Sequence, residues 1–175
     1  MGNLMYTGIG SRRTPPEFLA QMRQWAQYLL GRGWWLRSGG AKGADTAFAD
    51  GADNHKIIYT TNSFEGASQD QRAYALRLAA HHHPAWGACP LQAQKLHARN
   101  GYQILGLNLK SPTHLVVCWT PDGAERGHQT SRRTGGTGQA IRIASAHNIP
   151  VVNMQRDGWY DRLLQTSTRI EQNNA

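Results

Sequence analysis

Cysteine is scarce in this chain, acid is outnumbered, and no stretch is apolar for long. Two cysteines in 175 residues, Cys89 and Cys118, are too few for the disulfide framework that staples small secreted domains. Cys118 also lies inside the apolar run Leu115-Val116-Val117-Cys118-Trp119, which reads as core. No run approaches the roughly 18 apolar residues of a membrane-spanning helix, and the N-terminus carries no apolar signal segment. The expectation is a protein of a reducing compartment without a membrane partner: a bacterial cytoplasm, or a host cytoplasm if the source is a virus. Eleven Asp and Glu stand against 19 Lys and Arg, a net charge of +8. That imbalance disfavours cationic partners and favours anionic ones, nucleotides and nucleic acid among them.

What is abundant is glycine, with 19 residues, several in short runs. Such runs mark tight turns or close approach of backbone to a ligand. The length suits one domain, and neither an internal repeat nor a linker divides it. Strand and helix patterns alternate. Leu4-Met5-Tyr6-Thr7 reads as a first strand. A helix follows, with Thr14 as its cap, Pro15 at its first position, and Phe18, Met22, Trp25 and Leu29 along one face. Further strands are expected at 34–37, 56–60, 114–119 and 150–154, and helices at 46–52, 70–82, 90–106, 139–147 and 159–165. Residues 61–69 read as a polar loop. The domain is expected over 1–166, with 167–175 as a frayed tail. Strands alternating with helices predict an α/β fold, a mostly parallel sheet flanked by helices in a single domain. In such sheets ligands bind beyond the carboxyl ends of the strands.

Three glycine loops lie between a predicted strand and a predicted helix, a placement that suits anion binding at a helix N-terminus. The first, Thr7-Gly8-Ile9-Gly10-Ser11-Arg12-Arg13, lacks the third glycine of a dinucleotide fingerprint. Its candidate ligand groups are Gly8, Gly10, Ser11 and Arg12. The second, Ser38-Gly39-Gly40-Ala41-Lys42-Gly43-Ala44-Asp45, lacks the Gly-Lys-Ser/Thr order of a Walker loop. It contributes Ser38, Gly39, Gly40, Lys42, Gly43 and Asp45, the last either holding a ligand hydroxyl or favouring its own helix through the dipole. The third contributes Gly135, Gly136, Thr137, Gly138 and Gln139. Trp119, at a strand's carboxyl end, is a candidate for stacking on a base. His81-His82-His83 are consecutive, so on a helix they point in different directions and read as a solvated helix end. No metal and no cofactor are expected.

These segments resemble the signature loops of the SLOG superfamily. It includes the Smf/DprA DNA-processing proteins, the LOG phosphoribohydrolases, molybdenum-cofactor carrier proteins and nucleotide-sensing domains of bacterial defence systems. The resemblance runs from about residue 5 to residue 154 and looks closest to the DprA side in its first two loops. It implies a modified Rossmann fold and a ligand that is a nucleotide, an ADP-ribose-like molecule or single-stranded DNA. By the same analogy the chain forms a homo-oligomer. Leu96-His97-Ala98-Arg99-Asn100 resembles the arginine segment of LOG enzymes, which adds Arg99 and Asn100 to the implied site. The glutamate of those enzymes falls here on Arg142, which cannot serve as a catalytic carboxylate. Asp45, Asp122 and Glu125 are the acids that could replace it, with Arg99 as their partner if the chain is an enzyme. The leading expectation is therefore non-catalytic binding, for sensing or sequestration, of a nucleotide-derived ligand such as an ADP-ribose-type signal. The alternatives are a LOG-like nucleoside 5′-monophosphate phosphoribohydrolase, an N-glycosidase, and a DprA-like single-stranded DNA binder.

Overall fold

The computed structural model describes residues 2–175. Five strands form one parallel sheet: β1 (Met5–Gly10), β2 (Trp35–Ser38), β3 (Lys56–Ile58), β4 (Leu115–Trp119) and β5 (Val151–Asn153), in the order β3-β2-β1-β4-β5. Among the described residues seven α-helices accompany them: α1 (Pro16–Gly31), α2 (Ala44–Gly51), α3 (Thr61–Gly66), α4 (Gln69–His82), α5 (Leu91–Leu105), α6 (Thr137–Ala146) and α7 (Trp159–Asn173). This is the Rossmann-like α/β architecture that the alternation predicts. None of these helices is long and apolar enough to cross a membrane.

Strand alternation divides the core into two layers. Leu115, Val117 and Trp119 join Tyr6 and Leu36 on the face covered by Met22, Trp25 and Leu29 of α1, Phe48 of α2 and Leu163 of α7. Val116, Cys118 and Ile9 face the other way, onto Tyr102 and Ile104 of α5 and Ile141 and Ile143 of α6. Each central strand is covered on both sides, which is why β4 is apolar at every position. The chain winds outward from β1 through β2 to β3, then crosses back to β4 beside β1. The order therefore reverses between β1 and β4, which opens a crevice at their carboxyl ends.

The structure corrects several local expectations. Residues 61–66 form a helix rather than a loop. Its one buried apolar side chain, Phe64, anchors it in the core, and the Thr60 N–H donates to Ser63 Oγ at 3.0 Å. Helix α1 starts at Pro16, with Pro15 as its cap. Thr14 Oγ1 instead donates to the Ser11 carbonyl at 2.6 Å, closing the preceding loop. The end of the chain is not frayed, because α7 continues to Asn173. There Ser167 is buried, and Glu171 accepts from Trp34 Nε1 at 2.8 Å and pairs with Arg32.

Candidate functional site

At the carboxyl end of β1 the two halves of the sheet part around a cavity of about 920 Å³. Its walls come from the β1–α1 loop, the start of α2, helix α5 and the segment 131–142. The first requirement is that α2 approach β1 closely. A Cβ on Gly10 would lie 2.7 Å from the Ala44 Cβ, and one on Gly8 would lie 2.5 Å from the Phe48 ring. Only glycine at both positions lets α2 lie against the strand. The second loop is then folded by positive φ at Gly40 (72°) and Gly43 (95°), conformations that glycine adopts without strain. Asp45 Oδ2 accepts from the Ala41 N–H at 3.2 Å and closes this loop onto its own helix.

Helix α5 forms the floor. Arg99 Nη1 donates to the carbonyls of Gly39 at 2.8 Å and Tyr59 at 3.3 Å, so the guanidinium is fixed against the second loop. Asn100 Nδ2 donates to the Gly136 carbonyl at 3.3 Å and ties α5 to the third loop. A Cβ on Gly39 would sit 2.1 Å from Arg99 Nη1, 2.2 Å from Gln103 Nε2 and 2.7 Å from Asp45 Oδ2. Three polar side chains thus converge on the one position that has no side chain. Arg99 Nε, Gln103 Nε2 and His97 Nδ1 are buried without a hydrogen-bond partner, and all three residues line the cavity. Unpartnered buried donors are costly in a protein interior.

The rim repeats one device. Ser11-Arg12-Arg13-Thr14 and Ser131-Arg132-Arg133-Thr134 are the same tetrapeptide, and they fold alike. In each, the third residue's N–H donates to the serine Oγ at 3.1 Å. In each, the threonine N–H donates to the serine carbonyl, at 3.1 Å and 3.2 Å respectively. Arg12, Arg13 and Arg132 line the cavity, are exposed, and join none of the ion pairs among the described residues. Asp122 braces the second turn from below, accepting from Thr134 Oγ1 at 2.5 Å, Ser131 Oγ at 2.8 Å and Thr120 Oγ1 at 2.9 Å. Burial alone would raise its carboxyl, but these hydroxyl donors outweigh burial and hold it below the ordinary range.

The electrostatics of the cavity are cationic. Arg12, Arg13, Arg99, Arg132 and Arg142 line it, against Asp45. Burial pushes the Asp45 carboxyl up, opposed by the Ala41 N–H and the Arg99 charge. Burial likewise pushes Arg99 down, opposed by Asp45, and a guanidinium stays protonated under such a shift. The Arg142 guanidinium is anchored at every nitrogen, donating to the His82 carbonyl at 2.6 Å, Thr130 Oγ1 at 3.0 Å and Gln139 Oε1 at 2.9 Å. It braces the cavity wall.

Of the residues singled out in the sequence, Gly10, Ser11, Arg12, Asp45, Arg99, Asn100, Gly135, Gly136 and Thr137 line the cavity. The others lie off it, for identifiable reasons. Gly8 serves the packing of Phe48, and Ser38 Oγ donates to the Gly8 carbonyl at 2.6 Å, joining β2 to β1. Gly39, Gly40 and Gly43 shape the second loop from behind, and Lys42 is exposed on its outer side. Gly138 packs on Thr134 within the turn. Gln139 is fully buried and donates to the Ala79 carbonyl at 2.9 Å. Trp119 is not a stacking surface, since its ring turns to the α1 face and packs on Phe18 with ring centroids 6.0 Å apart. Glu125 lies off the cavity lining. Its carboxylate accepts from Arg162 at 2.7 Å and from the Asn153 N–H at 2.8 Å, away from the cavity.

The sequence reading missed Arg13, Arg132 and Gln103. The recurrence of Ser-Arg-Arg-Thr was the visible signal for the first two; nothing local marked Gln103. The same reading took His83 as part of a solvated helix end and expected no metal, whereas the structure brings His83 into a cluster of metal-ligand type. His83 leaves the end of α4 and meets Cys89 and His97, with Cys89 Sγ at 3.6 Å from His83 Nε2 and the two imidazole centroids 4.5 Å apart. Burial, with lesser contributions from His83, Arg142 and Arg99, pushes the His97 imidazole down to about 4.

Among solved structures, the chain is similar to DNA processing protein A from Helicobacter pylori, a structure described for its single-stranded DNA binding mode. The likeness covers 94% of this chain and 73% of that one, with a TM-score of 0.57 and 20% sequence identity. At that identity it is a likeness of fold. No family model matches the chain, and no curated protein matches it in sequence.

Proposed function

We propose that this chain is a SLOG-type binding domain whose ligand is single-stranded DNA, gripped chiefly by its phosphates. The observation that carries the reading is the pair of Ser-Arg-Arg-Thr turns on the cavity rim, which leaves Arg12, Arg13 and Arg132 exposed and unpaired over a cationic floor. Arginine is the side chain suited to phosphate, with a planar fork of donors. Three such groups around one opening match the spaced charges of a strand better than a single phosphate. The net charge of +8 points the same way, and so does the fold shared with DNA processing protein A.

In this reading the rim arginines meet successive backbone phosphates. Arg99 and the unpartnered Gln103 Nε2 receive the phosphate or sugar that enters the cavity. The lining includes no Phe, Tyr or Trp, so base stacking of the kind found in many single-strand grooves contributes little, and recognition is sequence-tolerant. Asp45 is the acidic side chain of the lining, and burial raises its carboxyl; this reading gives it a structural role, closing the second loop through the Ala41 N–H. A second reading, a free nucleotide-derived ligand of the ADP-ribose type, is favoured by the cavity's size. Its volume of about 920 Å³ falls in the range of small-ligand pockets, roughly 300–1,000 Å³.

Fluorescence anisotropy with a labelled oligothymidylate, competed by unlabelled oligomer, adenosine monophosphate or ADP-ribose, separates the readings. Oligomer should compete far better than either small molecule. Arg12→Ala and Arg132→Ala should each weaken oligomer binding by about 1.5–3 kcal/mol, the range for hydrogen bonds to charged groups. Tight binding of ADP-ribose with negligible binding of oligomer would select the second reading instead.

A further inference from the structure

Beside the phosphate cavity stands the cluster His83, Cys89 and His97. One ring nitrogen of each imidazole and the sulfur all lie within 4.8 Å of one another. Cys89 Sγ is 3.6 Å from His83 Nε2 and 3.7 Å from its Nδ1. A tetrahedral zinc ion, with bonds of about 2.0–2.1 Å to nitrogen and 2.3 Å to sulfur, separates a thiolate and an imidazole nitrogen by about 3.5 Å. The Cys89–His83 separation is already that of a ligand pair, and a His97 ring nitrogen lies within 4.8 Å of both. A second observation stands beside it: His97 Nδ1 is buried and has no hydrogen-bond partner.

We propose that His83, Cys89 and His97 bind a zinc(II) ion whose fourth coordination position opens toward the cavity. Three protein ligands with one open position are the arrangement of a zinc site that takes a water or a further ligand, whereas structural sites are closed by four. Both histidines line the cavity, so the open position faces the space where an anionic group would lie. The donor set, two imidazoles and a thiol, is that of zinc rather than of magnesium or calcium, which take oxygen ligands.

The chain between the ligands is short and shaped. Pro84 and Pro90 bound a segment containing one 3-10 turn, Trp86–Ala88, and Trp86 packs on the His83 ring. Cys89 therefore returns to His83 without a long loop, and His97 lies within α5. On binding, the Cys89 thiol gives up its proton to solvent, and the zinc–sulfur bond replaces the S–H bond with no change of oxidation state. The nearby cations Arg99 and Arg142 oppose a dication, and the thiolate offsets one of its charges. The bland alternative is a weak thiol–imidazole contact that holds no ion.

Cobalt(II) titration of the reduced, chelator-stripped full chain distinguishes these. One equivalent should develop a sulfur-to-cobalt charge-transfer band with the visible bands of a tetrahedral site, and zinc should displace it. Cys118 is fully buried in the core, so the thiolate band reports Cys89 and should vanish in Cys89→Ser. Since losing even an outer partner of a metal ligand costs about 10–100-fold in affinity, His83→Gln and His97→Gln should each weaken zinc binding by about 100-fold or more. A readout on the unmodified chain guards against misfolded variants: stoichiometric zinc should protect Cys89 from a thiol reagent. Absence of a charge-transfer band together with unprotected Cys89 would overturn the proposal. A band that persists in folded Cys89→Ser would overturn it as well.

Discussion

Glycines that look alike in the sequence do different work. Gly8 and Gly39 both sit in glycine-rich segments at strand ends, yet a methyl group at Gly8 meets an aromatic ring, while one at Gly39 meets Arg99, Gln103 and Asp45. Gly8→Ala should therefore destabilise the fold by about 1–3 kcal/mol through overpacking, read as a lowered melting temperature. Gly39→Ala should instead displace the polar groups of the cavity floor and weaken oligonucleotide binding by about tenfold or more, since a hydrogen bond to a charged ligand contributes about 1.5–3 kcal/mol. Equal losses of binding in both, at equal stability, would contradict this division. Asp45 offers a test with a pH signature. Burial raises its carboxyl above the ordinary value. Folding therefore favours the neutral form, and stability is greatest below the unfolded pKa and declines as pH rises through the folded one. Asp45→Asn should raise the melting temperature at neutral pH and make no difference in acid. Residue types and spacing made Arg12 and the loop glycines legible as a group, and the family resemblance added Arg99. They did not reveal which glycines face the ligand, because that depends on what lies behind each one.

Elements were legible where periodicity was strong. The unbroken apolar run of β4 and the Met22, Trp25, Leu29 face of α1 are patterns set by burial. Two elements escaped for opposite reasons. Helix α3 is polar and hangs on the single buried Phe64, too little for a period to show. The last turns of α7 bury Ser167 and hold Glu171 against Arg32 and Trp34, partners more than 130 residues away that no local pattern announces. The Arg32 hydrogen bond holds the Glu171 carboxyl below its ordinary range. Its stabilisation is therefore full above the ordinary glutamate pKa and is lost as pH falls through the lowered one. Glu171→Gln should cost about 1 kcal/mol at neutral pH, an ion-paired hydrogen bond discounted for the exposure of Arg32. The deficit should close in acid. A deficit constant across pH would mean that packing of α7, rather than the charge, is what Glu171 supplies.

At the scale of the whole molecule, the reversal of strand order between β1 and β4 decides where a ligand can sit, and the three glycine loops place the chemistry there. The parallel sheet and the loop positions could be read from alternation alone. The convergence of two identical arginine turns from segments about 120 residues apart could not, because it exists only once β1 and the segment after β4 are neighbours. That convergence is also what turns a general excess of positive charge into a directed one. The most direct test is the salt dependence of oligothymidylate binding. Neutralising a phosphate of a single strand contributes about −0.7 to the slope of log affinity against log salt, so three rim arginines predict a slope of about −2. Replacing Arg12, Arg13 and Arg132 with alanine should remove most of that slope, leaving at most about −0.7 for a phosphate held by Arg99, in a chain that still folds. A slope near −2 that survives the triple replacement would place the strand elsewhere on the molecule and contradict the account.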